Sequence, residues 1–238
     1  RDPEMSRGLG DVYKRQILIL AVYSFTDSPN IGAIHSFSFH NYVTLFTTPE
    51  LIDMIIGSIA LAIGSAVLAT ILGTTGAIGA FYSKKNVNGT MSVLNQIPVV
   101  NADVVTGFSL CILLVVVFGV SKNTYIPLVI GHTVLSAPFV YLAVVPKLKQ
   151  MDPSLYEAAL DLGATPGYTL IHIIIPQIAS GIISGFVMAV TLSLDDYFVA
   201  TYTKPATFDT ISTYVVNATK GSQTNICLLY TSDAADEL

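Results

Sequence analysis

Charged side chains are scarce in this sequence, and tryptophan is absent. Only 11% of the 238 residues are charged, and the formal net charge is -5. Because a soluble domain carries about a quarter charged residues, this scarcity indicates a protein that resides in the bilayer. The same charge leaves no basic patch for nucleic acid. With 52% hydrophobic residues and a mean hydropathy of +0.65, we expect an integral membrane protein in contact with lipid.

The shortage of cysteines and the lack of known catalytic motifs restrict the classes of function that the sequence allows. The two cysteines, Cys111 and Cys227, are too few for a disulfide framework. The sequence contains no HExxH, GxSxG or CxxC motif, which argues against an intramembrane enzyme, and we expect no metal site. It also contains no GxxxxGK[ST] motif, so any ATP and Mg²⁺ must be bound by another chain.

The composition of the two ends fits neither the apolar runs of the rest of the sequence nor a loop between spans. We expect residues 1–15 and 227–238 to derive from a vector or adapter, with genuine polar tails as the alternative. Residues 16–226 then form one transmembrane domain, with a cytoplasmic loop at 146–170.

Apolar runs of about 20 residues predict the spans. We expect an all-α, polytopic helix bundle with six spans in the intact protein, of which the first and last are truncated here. The complete spans are Met54–Tyr82, Val99–Val120, Ile126–Val145 and Ile171–Leu194, and the partial ones are Ile17–Phe25 and a span beginning near Asn225.

Lysines in short loops predict the orientation. Lys84 and Lys85 follow one span, and Lys147 and Lys149 follow another, which favours a cytoplasmic loop at 146–170. This orientation places Asp103 near the cytoplasmic start of its span, as a helix cap or dipole partner.

Small residues recur at four-residue spacing in the second span. Such stripes allow close approach of helix backbones in lipid. The two stripes are Ser58, Ala62, Ala66 and Thr70, and Ser65, Ala69, Gly73 and Ala77.

The loop after the fourth span carries two helix-start signals. Asp152 can cap a helix whose first residue is Pro153, and Gly163 can end that helix in a left-handed turn. Thr165 and Pro166 repeat the signal and open a helix that leads into the fifth span. On the first helix, Leu155, Ala158, Ala159 and Leu162 share a face at helical spacing.

The spacing of this loop resembles the EAA signature of permease subunits of ABC importers. The pattern falls on Glu157, Ala158, Ala159, Gly163, Ile173 and Pro176, with Ile175 in place of the usual leucine. The resemblance implies a type I importer permease in a bacterial inner membrane, whose loop docks in a cytoplasmic ATPase. It implies coupling roles for Glu157, Ala158, Ala159, Leu162, Gly163 and Pro176.

The resemblance also implies partners and a substrate class. The partners would be an ATPase dimer, a second permease subunit that forms a heterodimer, and an external solute-binding protein. The segment Ser193–Tyr197 resembles the spermidine/putrescine branch. The alternatives are a permease for iron, sulfate, phosphonate or molybdate, and, from a different class, an ion-coupled secondary carrier.

A polycation would need carboxylates and aromatic faces along its path. Asp195, Asp196, Tyr197 and Tyr202 supply both at the outer end of the fifth span, and helix capping is the alternative role for the two aspartates. His132 lies within the fourth span, where it can bond to a neighbouring helix or respond to protons; we favour the bond.

Overall fold

The computed structural model describes residues 24–25, 37–83, 85–152 and 154–222. Over these ranges the regular elements are helices, which confirms the all-α prediction. In chain order they are α1 (His40–Thr47), α2 (Pro49–Tyr82), α3 (Lys85–Val100), α4 (Asp103–Ile112) with a π-helical turn (Leu113–Val117), α5 (Ile126–Gln150), α6 (Ser154–Asp161), α7 (Pro166–Thr169) with a second π-helical turn (Leu170–Ile174), α8 (Ile175–Gln177), α9 (Ala179–Asp195), α10 (Phe198–Thr203) and α11 (Ile211–Ser222).

The chain divides into two compact units, residues 1–53 and residues 54–238. Within the first unit, the Phe25 ring packs on three others, with centroid distances of 5.4 Å to Phe37, 5.8 Å to Phe39 and 5.1 Å to Tyr42. Such aromatic pairs contribute about 0.5–1.5 kcal/mol each beyond the area they bury. They hold the short segment before α1 in place within this unit.

Two described helices, α2 and α5, are long and apolar enough to cross a membrane, with mean hydropathies of 2.3 and 2.0. Two further spans are possible if each of two bent helix pairs counts as one. The pair Gly89–Val100 and Asp103–Val117 bends by 106°, and the pair Pro166–Gln177 and Ala179–Asp195 bends by 72°.

These bends correct two predicted spans. The predicted span Val99–Val120 loses its first residues to α3, and the predicted span Ile171–Leu194 loses its first turns to the segment before Ala179. Hydropathy does not show either bend, because each bent pair taken together is still apolar enough to pass as one span. At the second bend, the backbone of Ile178 leaves helical geometry, with φ -96° and ψ 5°.

Helix α11, the last one that the structure describes, precedes the predicted sixth span. Helix α11 starts at Ile211, and the Thr210 hydroxyl accepts from the backbone N–H of Thr213 at 3.3 Å. With 12 described residues, α11 is shorter than a membrane span. The predicted start near Asn225, the partial span Ile17–Phe25 up to residue 23, and both predicted tails lie outside the described residues.

The core of the second unit lies where α2 and α9 meet α5. Val140 of α5 is fully buried between two glycines: a Cβ added to Gly73 of α2 would lie 2.7 Å from the Val140 Cβ, and one added to Gly185 of α9 would lie 3.0 Å from its Cγ1. Seven of the eight predicted stripe residues are buried, with Thr70 half-buried. The stripes are therefore packing surfaces, as predicted.

Candidate functional site

Helix α6, the first helix of the loop at 146–170, begins with a side-chain cap. One carboxylate oxygen of Asp152, Oδ1, accepts from the Ser154 backbone N–H at 2.9 Å and from its hydroxyl at 2.8 Å. These bonds favour the ionised form, so they hold the pKa of Asp152 below its usual range. The predicted cap at Asp152 is confirmed, and Pro153 lies outside the described residues.

The end of α6 is the predicted left-handed turn. Gly163 has φ +86°, a region that side chains other than glycine rarely adopt. The Gly163 N–H donates to the Leu160 carbonyl at 2.9 Å, and the Ala164 N–H donates to the Ala159 carbonyl at 3.1 Å. This pair of bonds is the Schellman motif, which satisfies the last carbonyls of the helix.

The second helix of the loop starts as predicted. Thr165 has extended backbone angles, its hydroxyl accepts from the Tyr168 N–H at 3.4 Å, and Pro166 is the first helical residue. From there the chain passes through the second π-helical turn and reaches Ile174 and Ile178, which are both fully buried. The loop is therefore anchored in the core immediately after it leaves the surface.

The four residues predicted to share a face of α6 have different surroundings. Leu155 is half-buried against the core and Ala159 is buried, whereas Ala158 is exposed and Leu162 is 89% exposed. The reason is length: α6 has only eight residues and ends at Asp161, so Leu162 lies beyond the packed turns. Ala159 thus packs against its own chain, so the four residues do not form one exposed face.

The outward face of α6 carries the remaining loop residues. Glu157 and Asp161 are exposed on this side, together with Ala158, and Gly163 is exposed at its end. Pro176 is also exposed, but it lies in α8, just before the bend at Ile178.

A ring contact ties the loop to α2. The ring centroids of Tyr82, the last residue of α2, and Tyr156 of α6 are 4.9 Å apart. The loop after Tyr82 and the loop that holds α6 therefore lie on the same side of the helices. This agrees with the lysine pattern that predicts both to be cytoplasmic.

A second polar region, which we call the polar junction, surrounds Asp196 between α9 and α10. The Asp196 carboxylate accepts from the Ala200 N–H at 2.8 Å and from the Val199 N–H at 3.3 Å, so it caps α10. The backbone carbonyl of Asp196 accepts a hydrogen bond from the Ser212 hydroxyl of α11 at 2.5 Å. Asp196 is 8% exposed, whereas Asp195 is exposed.

His132 joins the polar junction from α5. Its Nδ1 lies 2.9 Å from the Ser193 hydroxyl of α9, which in turn lies 3.2 Å from the Ser65 hydroxyl of α2. Its Nε2 lies 3.7 Å from Asp196 Oδ2. The predicted bond from His132 to a neighbouring helix is confirmed.

The aromatic candidates flank the same region. Tyr202 is half-buried and its ring meets Phe108 of α4 edge-on at 5.7 Å, while Tyr197 packs against Phe198 at 5.2 Å. All four predicted path residues therefore belong to α10 or to the few residues before it.

Asp103 also lies at the polar junction, contrary to its predicted place at the cytoplasmic start of a span. It is exposed, and its charge acts on Asp196, as does that of Asp195. The close approach of α4 to α10 explains the placement, because a Cβ added to Gly107 would lie 2.9 Å from the Val199 Cα. Asp103 does lie in the first turn of a helix, as a dipole partner should, but its predicted place relative to the other helices is wrong because the prediction assumed a straight span from Val99.

Residues 74–232 match the model of the family described as binding-protein-dependent transport system inner membrane component. The chain belongs to this family. The permease is 31% identical over 192 residues to the putrescine transport system permease protein PotI of Escherichia coli (strain K12), covering 78% of this chain and 68% of the relative. It is 30% identical over 208 residues to the spermidine/putrescine transport system permease protein PotC of Haemophilus influenzae, covering 86% and 79%.

Solved structures show the same fold. A chain of a bacterial alginate ABC transporter, solved in complex with an alginate pentasaccharide-bound periplasmic protein, superposes with a TM-score of 0.68 at 17% identity, covering 92% of this permease and 81% of that chain. An amino acid ABC transporter solved with histidines gives a TM-score of 0.50 at 18% identity, covering 84% and 100%. The family match and the PotI and PotC relatives show that the permease is an inner-membrane transport subunit of an ABC importer, and that the family is one of transport rather than catalytic subunits.

Three residues of the permease's polar junction escaped the sequence reasoning. Ser65 was interpreted only as a member of a packing stripe, and Ser193 only as part of a family-like segment. Ser212 lies in a polar stretch that no span search selects. Only Ser193 carried a usable signal, since it stands three residues before Asp196 and so about one helical turn away.

Proposed function

We propose that this permease forms half of the pathway of an ATP-driven importer for polyamines such as putrescine and spermidine. The observation that supports this substrate class most directly is that three carboxylates lie near the start of α10. Asp103 comes from α4, and Asp195 and Asp196 come from the end of α9. The substrates named for the PotI and PotC relatives agree with this chemistry, because a polyamine is a flexible polycation.

The carboxylates have different tasks in this proposal. Asp196 is buried and its carboxylate is occupied by two backbone N–H groups, so it holds the junction together. Asp195 and Asp103 are exposed and available to an ammonium group, with which a carboxylate forms charge-assisted hydrogen bonds. The Tyr202 ring lies on the same short helix that Asp196 caps and offers a face for cation–π contact.

The outward face of α6 supports coupling to an ATPase. Glu157 and Ala158 are exposed there, followed by Leu162, and a small side chain between a carboxylate and an apolar group suits a docking cleft. A cytoplasmic ATPase dimer would bind ATP and Mg²⁺, since no Walker A sequence stands in this chain. A second permease subunit would complete the pathway, and an external solute-binding protein would deliver the substrate.

Uptake of labelled putrescine by the complete transporter in proteoliposomes tests the substrate. We expect Asp195→Asn to reduce uptake about tenfold through a higher KM, because it removes an exposed charge that attracts the cation. Asp209→Asn is the matched control: Asp209 is also an exposed aspartate, but it is already paired with Lys204. If the transporter takes up no polyamine, or if both variants behave alike, the proposed substrate or the proposed path is wrong.

A further inference from the structure

Three helices of the second unit, α2, α5 and α9, meet in a layer of polar side chains at the polar junction. The Ser193 hydroxyl of α9 lies 2.9 Å from His132 Nδ1 of α5 and 3.2 Å from the Ser65 hydroxyl of α2. All three residues are buried, and His132 is fully buried. Because an imidazole ring is accommodated among these helices, their axes stand apart at this level.

A second layer lies eight residues away along each of the same helices, and there the helices are close together. Val140 of α5 is fully buried between Gly73 of α2 and Gly185 of α9, which have no side chains. A Cβ added to Gly73 would lie only 2.7 Å from the Val140 Cβ. The helices therefore diverge from this glycine layer towards the imidazole layer.

A third layer, which we call the serine layer, lies halfway between the other two. It consists of Ala69 of α2, Ser136 of α5 and Ala189 of α9, each four residues from both neighbouring layers. All three residues are fully buried. The helices are further apart here than at the glycine layer, but only two methyl groups and one hydroxymethyl group project between them. The serine layer can therefore accommodate a small molecule beside the Ser136 hydroxyl.

Two polar atoms beside the serine layer have no hydrogen-bond partner within the described part of the chain. They are Ser136 Oγ and His132 Nε2, which lies 3.7 Å from Asp196 Oδ2, beyond hydrogen-bond distance. Buried polar atoms are nearly always paired, with protein groups or with ordered water. Ser136 and His132 are one turn apart on one buried face of α5, so their Cβ atoms are about 5–6 Å apart. One molecule that makes a hydrogen bond of about 2.8 Å to each atom spans this distance.

We propose that the serine layer binds one water molecule, which bridges Ser136 Oγ and His132 Nε2. Water suits both atoms because it can donate or accept a hydrogen bond at either end, so the site does not depend on the tautomer or the charge of the imidazole. Asp196 Oδ2, at 3.7 Å from Nε2, is near enough to be a third partner, and buried water usually has two to four partners.

The bridging water has a consequence for the polar junction. By bonding to Nε2, it holds the imidazole in the orientation in which Nδ1 reaches the Ser193 hydroxyl. The contact between α5 and α9 then depends on Ser136, although Ser136 itself touches no other polar side chain among the described residues. This inference is independent of the substrate that the permease carries.

Thr74 of α2 provides a contrast, because its hydroxyl oxygen is the third buried polar atom that lacks a partner in the described ranges. Thr74 lies five residues beyond Ala69, so it is about 7.5 Å further along α2 than the serine layer. A water molecule bound at Ser136 therefore does not reach it.

The sign of the stability change in Ser136→Ala tests the proposal. If water bridges the two atoms, this variant deprives Nε2 of its partner, and the thermal unfolding temperature of the purified transporter should fall by about 2–4 °C. If the Ser136 hydroxyl is instead buried without any partner, its removal should raise the unfolding temperature. Thr74→Val is the matched control: it also removes an unpaired buried hydroxyl, but at a site without the bridge, so it should not lower the unfolding temperature.

Electron cryo-microscopy of the wild-type transporter, at a resolution that shows ordered water, locates the site directly. We expect density within about 3 Å of both Ser136 Oγ and His132 Nε2. Three results would overturn the proposal: a higher unfolding temperature in Ser136→Ala, a map without density between the two atoms, and a Ser136 hydroxyl bonded to the His132 carbonyl of its own helix. If Ser136→Ala fails to assemble, the wild-type map decides.

Discussion

The loop at 146–170 and the polar junction are both polar interruptions of an apolar chain, but they are built differently. The bonds that shape the loop join residues two to five positions apart, such as Asp152 to Ser154 and Ala164 to Ala159. The junction has short-range bonds too, at the start of α10, but it also contains bonds between residues 61 and 128 positions apart, through Ser193. The hydrogen bonds of the loop can form within one short segment, whereas those of the junction form only when several helices are already packed.

Burial separates the two regions as well. Glu157, Asp161 and Gly163 of the loop are exposed, whereas His132 and Asp196 are buried in the second unit. Because water replaces a lost partner at the surface but not in the interior, substitutions in the junction should cost more stability. Substitutions in the loop should instead change coupling and leave the helix bundle intact.

The largest effect should be the loss of stability caused by Asp196→Ala. This change leaves the N–H groups of Val199 and Ala200 unpaired in a buried site, at about 1–3 kcal/mol each. We expect a clear fall in the thermal unfolding temperature of the purified complex. Asp209→Ala, which removes a partly exposed ion pair with Lys204, should cost less than about 1 kcal/mol. Equal losses in the two variants would contradict the contrast between buried and exposed polar groups.

Gly163→Val should have the second largest effect, on ATPase binding and uptake. A β-branched residue at φ +86° costs about 1–3 kcal/mol, and it would disturb the end of α6. Co-purification with the ATPase and ATP-driven uptake should fall about tenfold, while the unfolding temperature of the bundle changes little. Gly167→Ala is the matched control, because Gly167 has no positive φ and a Cβ there meets nothing within 4 Å. If Gly163→Val lowered the unfolding temperature of the helix bundle as much as Asp196→Ala does, the distinction between the loop and the polar junction would be wrong.

Glu157→Lys should be third. Reversing one exposed charge on the outward face of α6 should weaken ATPase binding by about 1 kcal/mol, roughly fivefold, and less so at high salt. Glu157→Gln should lie between this variant and the wild type. Pull-down of the ATPase at two salt concentrations measures the effect, and a salt-independent result would exclude a charge role for Glu157.

The smallest effect should come from Asp152. Its pKa is lowered in the folded protein by the Ser154 bonds, so its contribution to stability is present above the unfolded pKa and is lost as the pH falls through the lower, folded value. Between pH 6 and 8 nothing should change. Below about pH 4, Asp152→Asn and wild type should converge in helix content near α6, measured by amide exchange. A difference that grows on acidification would reverse this sign.

The same contrast explains what the sequence could predict. The caps at Asp152 and Thr165 and the turn at Gly163 follow from rules for neighbouring residues, and the structure confirms them. The packing stripes were also predictable, since a four-residue spacing is a property of one helix. The bends at residues 100–103 and 177–179 were not, because each bent pair taken together is still apolar enough to pass as one span.

The polar junction was beyond local rules for a further reason. Asp195 and Asp196 could be chosen from the sequence, but their different roles depend on which one α10 covers. Asp103 meets them only because α4 approaches α10 closely at Gly107. No pattern within α4 records that approach.

The contact of Tyr82 with Tyr156 allows a movement of α6 to be transmitted to α2. Ser65, whose hydroxyl meets that of Ser193 at the polar junction, lies 17 residues before Tyr82 on the same unbroken helix, so about 26 Å separates them along its axis. If movement of α6 tilts this helix by about 5° about its Tyr82 end, Ser65 moves by about 2 Å on the same geometry. That displacement exceeds what the 3.2 Å bond from Ser65 to Ser193 can tolerate. A small rotation at the membrane surface would thus be converted into the breaking of one hydrogen bond deep inside the bundle.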